Sequence, residues 1–252
     1  MLNRRPFLAV ALAGAVSLLM GASALAAETK VAVAANFTEP AKEIADKFEA
    51  ATGDKVILSF GSSGQFYTQI ANGAPFEVFL SADSERPTKA EADGLAVTGT
   101  RFTYATGRLV LFSKTAGLVD PKGAVLKTDK FEKLAIADPK AAPYGQAAVE
   151  TLTKLKLYDT LKPKIVTGSS ITQGYQYVQT GAAELGFVAL SQVINETGGS
   201  RWLVPTADHT PIAQQAVLLK TGADNPVAKA FLQYLKSKDA KAIIKRYGYE
   251  VK

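Results

Sequence analysis

The chain has 252 residues, of which 47% are apolar and 21% are charged. This balance is typical of globular proteins and excludes a largely disordered or fibrous chain. The formal net charge is +6. The chain contains no cysteine, so thiol catalysis, thiolate metal sites and disulfides are excluded. The lysines are scattered rather than clustered, so the sequence does not predict a nucleic-acid-binding surface.

The first 26 residues are typical of an export signal. Arg4 and Arg5 precede an apolar run over residues 7–20, and Ala24 and Ala26 fit the small-residue pattern before a signal-peptidase cut. A membrane anchor is the alternative, but this run is short for a membrane-spanning helix of about 20 residues. We therefore expect residues 1–26 to be removed on export to the periplasm; the paired arginines leave the general secretory and twin-arginine routes both open.

The rest of the chain repeats one order: a short apolar strand, a polar loop and an amphipathic helix. Strands are predicted at residues 31–35, 56–60, 134–137 and 165–166, and Gly53 is predicted to end the first helix. Strands that alternate with helices favour an α/β fold with parallel strand pairing. In such folds, ligands bind beyond the carboxyl ends of the strands, where the helices begin.

The loops that follow these strands carry mostly uncharged hydrogen-bond donors. These donors include Asn36, Thr38, Ser62, Ser63, Tyr144, Ser169, Ser170 and Thr172. A helix start offers free N–H groups and a partial positive charge, so it is a ready site for an anion. Each serine or asparagine taken alone is more often a helix cap. Ser62 and Ser63 lie between Gly61 and Gly64, which is more than one cap requires and allows close approach of a ligand.

With these residues in view, the mature chain resembles periplasmic molybdate-binding proteins, the soluble receptors of ABC importers. The resemblance depends on the segments 33–37 (VAANF), 60–64 (FGSSG), 73–83 (GAPFEVFLSAD), 143–145 (PYG) and 245–249 (KRYGY). It implies a two-lobed periplasmic binding protein fold of type II, with two crossover strands and a ligand cleft between the lobes. Residues 27–107 with 214–252 would form lobe 1, and residues 108–213 would form lobe 2.

The resemblance also implies which residues bind the anion. Carried over by position, these are Asn36, Ser63, Tyr144 and Ile171, with Ala35 and Ser62 as further candidates. Ser63 would donate from its hydroxyl and its backbone N–H, whereas Tyr144 and Ile171 would donate from the backbone alone. Ala35 and Ala189 stand where some relatives have a hydroxyl, so one or two side-chain donors of those relatives are missing.

The same resemblance implies molybdate or tungstate as ligand, so that the metal atom reaches the protein only within its oxyanion. It implies no cofactor, a membrane permease as partner and a monomeric protein. Sulfate or another tetrahedral oxyanion is the main alternative ligand, and sequence cannot measure the size of the pocket. A secreted hydrolase is the alternative from another class of protein. The only histidine of this chain, His209, is expected in an exposed loop, and no Gly-x-Ser-x-Gly motif supports a catalytic triad.

Overall fold

A computed structural model describes residues 27–251, which fold into two lobes, each built on a five-stranded sheet. The predicted signal segment lies outside the described residues. Among the residues described, no helix has the length and apolar character needed to cross a membrane. The strands of the first sheet, in the spatial order β2-β1-β3-β10-β4, are β1 (Glu28–Ala34), β2 (Lys55–Gly61), β3 (Val78–Ser81), β4 (Phe102–Gly107) and β10 (Ile212–Leu218).

The second sheet is formed by the residues between β4 and β10. Its strands, in the spatial order β7-β6-β8-β5-β9, are β5 (Leu109–Ser113), β6 (Leu134–Ala137), β7 (Ile165–Gly168), β8 (Leu185–Ala189) and β9 (Ser200–Leu203). The chain passes from the first sheet to the second at Arg108 and returns between Leu203 and Ile212. Two crossover segments therefore join the lobes.

Helices cover the faces of both sheets. In the first lobe they are α1 (Thr38–Thr52), α2 (Ser63–Ala71), α3 (Glu85–Ala92), α8 (Pro226–Tyr234) and α9 (Lys238–Arg246). In the second lobe they are α4 (Pro143–Lys154), α5 (Tyr158–Leu161), α6 (Ile171–Gln179) and α7 (Leu190–Val193). Gly53 ends α1 in the left-handed conformation with φ 78°, which confirms its predicted role.

The strands are apolar because helices bury both faces of each sheet. In β1, Val31 and Val33 pack with Phe48 of α1, whereas Ala32 between them packs with Phe66 of α2 on the opposite face. Alternate residues of a strand point to opposite faces, so a strand covered on both sides has no position for an exposed polar side chain. The same arrangement recurs in the second sheet.

The parallel pairing predicted for the strand-loop-helix units is confirmed, although both sheets also contain antiparallel strands. Strands β1, β2 and β3 pair in parallel, as do β6, β7 and β8. However, β10 is antiparallel to β3 and β4, and β5 is antiparallel to β8 and β9. Both antiparallel strands begin where the chain has just crossed from the other lobe, so they run against the strands that each lobe builds for itself.

Candidate functional site

Four strand-to-helix turns, two from each lobe, surround one small cavity. The turns follow β1, β2, β6 and β7, and the cavity between them has an empty volume of about 200 Å³. The residues that line it are Ala34, Ala35, Asn36, Gly61, Ser62, Ser63, Ala82, Ala142, Pro143, Tyr144 and Ile171. All six residues predicted from the sequence are among them, and none of the described lining residues is charged.

The first lobe brings two serine hydroxyls to the cavity. Ser63 is the first residue of α2 and is 1% exposed; its Oγ accepts a hydrogen bond from the N–H of Ala82 at 2.9 Å. Because Oγ already accepts from Ala82, the hydroxyl hydrogen of Ser63 remains free to donate to a ligand.

The second hydroxyl, that of Ser62, has no hydrogen-bond partner among the described residues. Ser62 occupies the N-cap position of α2 and is buried, yet its side chain accepts no capping bond. An unpaired buried hydroxyl costs about 1–3 kcal/mol, and the usual capping explanation for a serine at this position is not met here. By contrast, Ser170 at the start of α6 makes an ordinary cap to the N–H of Gln173 at 3.3 Å.

The second lobe presents backbone rather than side chains. Tyr144 is the second residue of α4 and Ile171 the first residue of α6, so their N–H groups belong to the first turns, which have no acceptor within the helix. Both side chains are buried. The start of α4 lies very close to the end of β6, because a Cβ atom added at Gly145 would lie 2.2 Å from the carbonyl oxygen of Ala137.

The side chain of Asn36 is already engaged within the first lobe. Its Nδ2 donates to Gln214 Oε1 at 2.9 Å and to Tyr249 Oη at 3.0 Å, which uses both amide hydrogens. Asn36 lies in a single turn of 3-10 helix over Ala35–Phe37, where the first N–H groups lack helical acceptors. What Asn36 and Ala35 can offer to a ligand is therefore their backbone N–H.

Behind the cavity lies a buried network of hydrogen-bonding side chains, here called the polar cluster. Its members are Asn36, Tyr104, Tyr144, Ser191, Gln214 and Tyr249. Burial raises the pKa of Tyr249 to about 12 and raises the pKa values of Tyr104 and Tyr144 well above the usual range. The three phenols are therefore uncharged at neutral pH, so the cluster places no negative charge beside the cavity.

Sequence reasoning did not identify Gln214 or Ser191 as part of this region. Gln214 is fully buried in β10, and its Nε2 donates to Tyr144 Oη of the other lobe at 3.2 Å. A glutamine inside an otherwise mostly apolar strand was the available signal. Gly107, at the end of β4, makes room for this contact, since a Cβ atom there would lie 2.1 Å from Tyr144 Oη.

The two lobes are in direct contact at the rim of the cavity. The N–H of Gly64 donates to the carbonyl oxygen of Ala141 at 2.8 Å, and Arg86 donates to the carbonyl oxygen of Lys140 at 2.9 Å. Arg86 also pairs with Asp83, which holds its guanidinium in place. The lobes are thus closed on each other, and most of the residues that line the cavity between them are buried.

His209 does not contribute to this cavity, and the expectation that it is exposed is wrong. It is 7% exposed, and its Nδ1 lies 2.8 Å from the carbonyl oxygen of Thr210. The neighbouring Asp208 faces Lys154 instead, at 3.7 Å. No serine of the cavity turns is hydrogen-bonded to the imidazole among the described contacts.

Comparison with known proteins agrees with this geometry. The chain is 59% identical to the molybdate-binding protein ModA of Rhodobacter capsulatus, and the alignment covers 94% of each chain. The structure resembles that of the Azotobacter vinelandii periplasmic molybdate-binding protein, with a TM-score of 0.86, 44% identity and coverage of 89% of this chain and 99% of that one.

A more distant solved structure shares only the fold. The sulfate-binding protein SubI of Mycobacterium tuberculosis matches with a TM-score of 0.76 at 13% identity, over 89% of this chain and 87% of that one. The family model for bacterial extracellular solute-binding proteins matches residues 29–250, nearly all of the described chain. The protein therefore belongs to the family of bacterial extracellular solute-binding proteins.

Proposed function

We propose that the protein captures molybdate or tungstate in the cavity between its lobes and delivers it to an ABC importer. The observation that carries this proposal is the meeting of four helix starts, from both lobes, around one buried cavity lined by uncharged residues. The relatives named as molybdate-binding proteins support the same ligand. Residues Asn36, Ser63, Tyr144 and Ile171 are the proposed ligands, with Ala35 and Ser62 as further contributors.

The chemistry of the lining favours a fully ionised oxyanion. Backbone N–H groups and serine hydroxyls donate hydrogen bonds, and helix starts add partial positive charge without a fixed cation. Hydrogen phosphate carries a proton that needs an acceptor, and no carboxylate is among the described lining residues. Uncharged donors also suit reversible capture, because the ion must later be released.

Sulfate is the alternative ligand, since the fold is shared with a sulfate-binding protein. Molybdate and tungstate are larger tetrahedral dianions than sulfate and have nearly the same size as each other. A panel of molybdate, tungstate, sulfate and phosphate in a thermal-shift experiment separates these possibilities, because a ligand that binds only the folded state raises the Tm by mass action. Selective stabilisation by molybdate and tungstate is expected; stabilisation by sulfate alone would overturn the proposal.

The cellular setting is part of the same proposal. The chain is exported to the periplasm after removal of residues 1–26, acts as a monomer and meets its permease with the lobes closed. It acts by binding and not by turnover, in line with relatives that are solute-binding proteins. Mass spectrometry of the exported protein would locate the new N-terminus, and a cut far from Ala26 would correct the predicted signal segment.

A further inference from the structure

Two hydroxyls, one from each lobe, meet on the backbone carbonyl oxygen of Asn36. Ser191 Oγ of the second lobe donates to this oxygen at 2.8 Å, and Tyr249 Oη of the first lobe donates to it at 2.7 Å. The two hydroxyl oxygens lie 3.0 Å apart. Ser191 is 9% exposed and Tyr249 is 5% exposed, so both hydroxyls are largely buried.

Neither hydroxyl is among the groups that line the cavity. Both instead contact the residue whose loop forms part of the cavity wall. Tyr249 additionally accepts a hydrogen bond from Asn36 Nδ2 at 3.0 Å, so the Asn36 peptide and side chain are both fixed by the same phenol. Ser191 and Tyr249 therefore act on a bound anion through Asn36, as positioning residues.

The contact of Ser191 requires the two lobes to be together. Separating the lobes would remove Ser191 Oγ from both Asn36 and Tyr249, whereas the bonds between Tyr249 and Asn36 lie within the first lobe and would persist. A bond that exists only in the closed form stabilises that form alone. It slows reopening without taking part in the first encounter between the anion and the open form.

We propose that Ser191 and Tyr249 form an interlobe latch on the Asn36 loop, which lengthens the time that the anion stays bound. This inference rests on the proposed function, since it assigns the latch to the same cavity. The latch acts on the rate of dissociation, and it leaves the rate of association nearly unchanged.

The test compares rates of binding and release for variants of the mature protein. Radiolabelled molybdate is bound and then chased with excess unlabelled molybdate. Ser191→Ala is expected to release it about tenfold faster, the effect of losing roughly one buried hydrogen bond, with association changed less than about twofold. Tyr249→Phe is expected to shift release in the same direction but by less, because its bonds to Asn36 lie within the first lobe and its 3.0 Å contact with Ser191 crosses between the lobes. The double variant should depart from the product of the two effects, because both hydroxyls share one acceptor.

Tyr104→Phe is the matched control within the polar cluster. The hydroxyl of Tyr104 is also buried, but among the described residues it bonds to groups of the first lobe, Ser81 O at 3.2 Å and Gln214 Oε1 at 3.0 Å. This variant should lose stability while its release rate stays within about twofold of the unmodified protein.

Three results would count against the latch, each in a different way. Unchanged release from Ser191→Ala overturns it directly. Equal acceleration in Tyr104→Phe overturns it as well, because that result indicates general loosening of the cluster. Failure of the unmodified protein to bind molybdate overturns the proposed function first, and the latch with it, so the two failures are distinguishable.

Discussion

The two lobes line the same cavity with different chemistry. The first lobe contributes the hydroxyls of Ser62 and Ser63, whereas Tyr144 and Ile171 of the second lobe offer backbone N–H groups at helix starts. Side-chain identity thus specifies the serine half of the cavity, whereas the position of the backbone specifies the second-lobe half and also the N–H groups of Ala35 and Asn36. Substitutions should affect the first half by removing a functional group and the second half only by moving a helix.

The largest effect is expected from Gly145→Ala in the second lobe. A Cβ atom there would lie 2.2 Å from the carbonyl oxygen of Ala137, so the start of α4 must move away from β6. Overpacking of this kind costs about 1–3 kcal/mol or more of stability. We also expect at least about a tenfold loss of molybdate affinity, measured by calorimetry, because a displaced N–H no longer reaches the ligand.

Gly174→Ala is the control for that substitution. A Cβ atom at Gly174, within α6, would meet its nearest neighbour at 3.4 Å, which is ordinary van der Waals contact. Alanine should stabilise the helix by up to about 1 kcal/mol and leave affinity unchanged. Unchanged affinity in Gly145→Ala would show that the position of the α4 start does not matter for binding.

Ser63→Ala tests the side-chain half of the comparison. A charged ligand that loses one hydrogen bond should bind about 1.5–3 kcal/mol more weakly, and the N–H of Ala82 also loses its acceptor. Ser113→Ala is a matched control, since Ser113 Oγ likewise accepts a backbone N–H, from Thr115 at 3.1 Å, but lies in β5 away from the cavity. Calorimetry should show weaker binding only for Ser63→Ala; equal affinities in both variants would remove Ser63 from the site.

Both halves of the cavity lie in front of the uncharged polar cluster, and alkaline pH can ionise the tyrosines of that cluster. The pKa of Tyr249 is raised from 10.0 to about 12 by burial, so the unfolded state loses this proton at lower pH than the folded state. The free energy of unfolding should therefore be unaffected by this group below pH 10. It should fall as the pH rises from 10 to about 12, by roughly 1.4 kcal/mol per pH unit. Denaturant unfolding of Tyr249→Phe should show a shallower fall; an identical slope would contradict the assignment.

Ile171→Val should have the smallest effect on binding. The substitution removes one buried methylene group and keeps the backbone N–H at the start of α6. Stability should drop by about 0.5–1.5 kcal/mol, while molybdate affinity should change by less than about twofold. A marked loss of affinity would mean that the side chain itself shapes the ligand site, so that the second lobe, like the first, depends on side-chain identity.

The sequence predicted the elements that depend on local pattern. Alternating apolar strands and amphipathic helices indicated the α/β fold, and glycine-flanked serines before α2 pointed to residues that do line the cavity. The antiparallel strands β5 and β10 were not predicted, because strand direction depends on how the chain crosses between the lobes. The burial of His209 was missed for a similar reason, since it depends on long-range packing.

The contacts within the polar cluster could not be predicted from local sequence patterns either. Ser191 and Asn36 are 155 positions apart in the chain, and Gln214 and Tyr144 are 70 apart, so no local pattern brings either pair together. Arg86 was likewise not anticipated at the rim, where it contacts Lys140 across the cleft. Contacts between lobes follow from the closed arrangement, and only a structure reveals them.

The narrow clearance at Gly107 sets how far the cleft can shut. This glycine ends β4, one residue before the chain crosses to the second lobe, and the phenol of Tyr144 lies where its side chain would be. Even one methyl group there would act as a wedge between the lobes. Full enclosure of the ion thus requires that residue 107 has no Cβ atom.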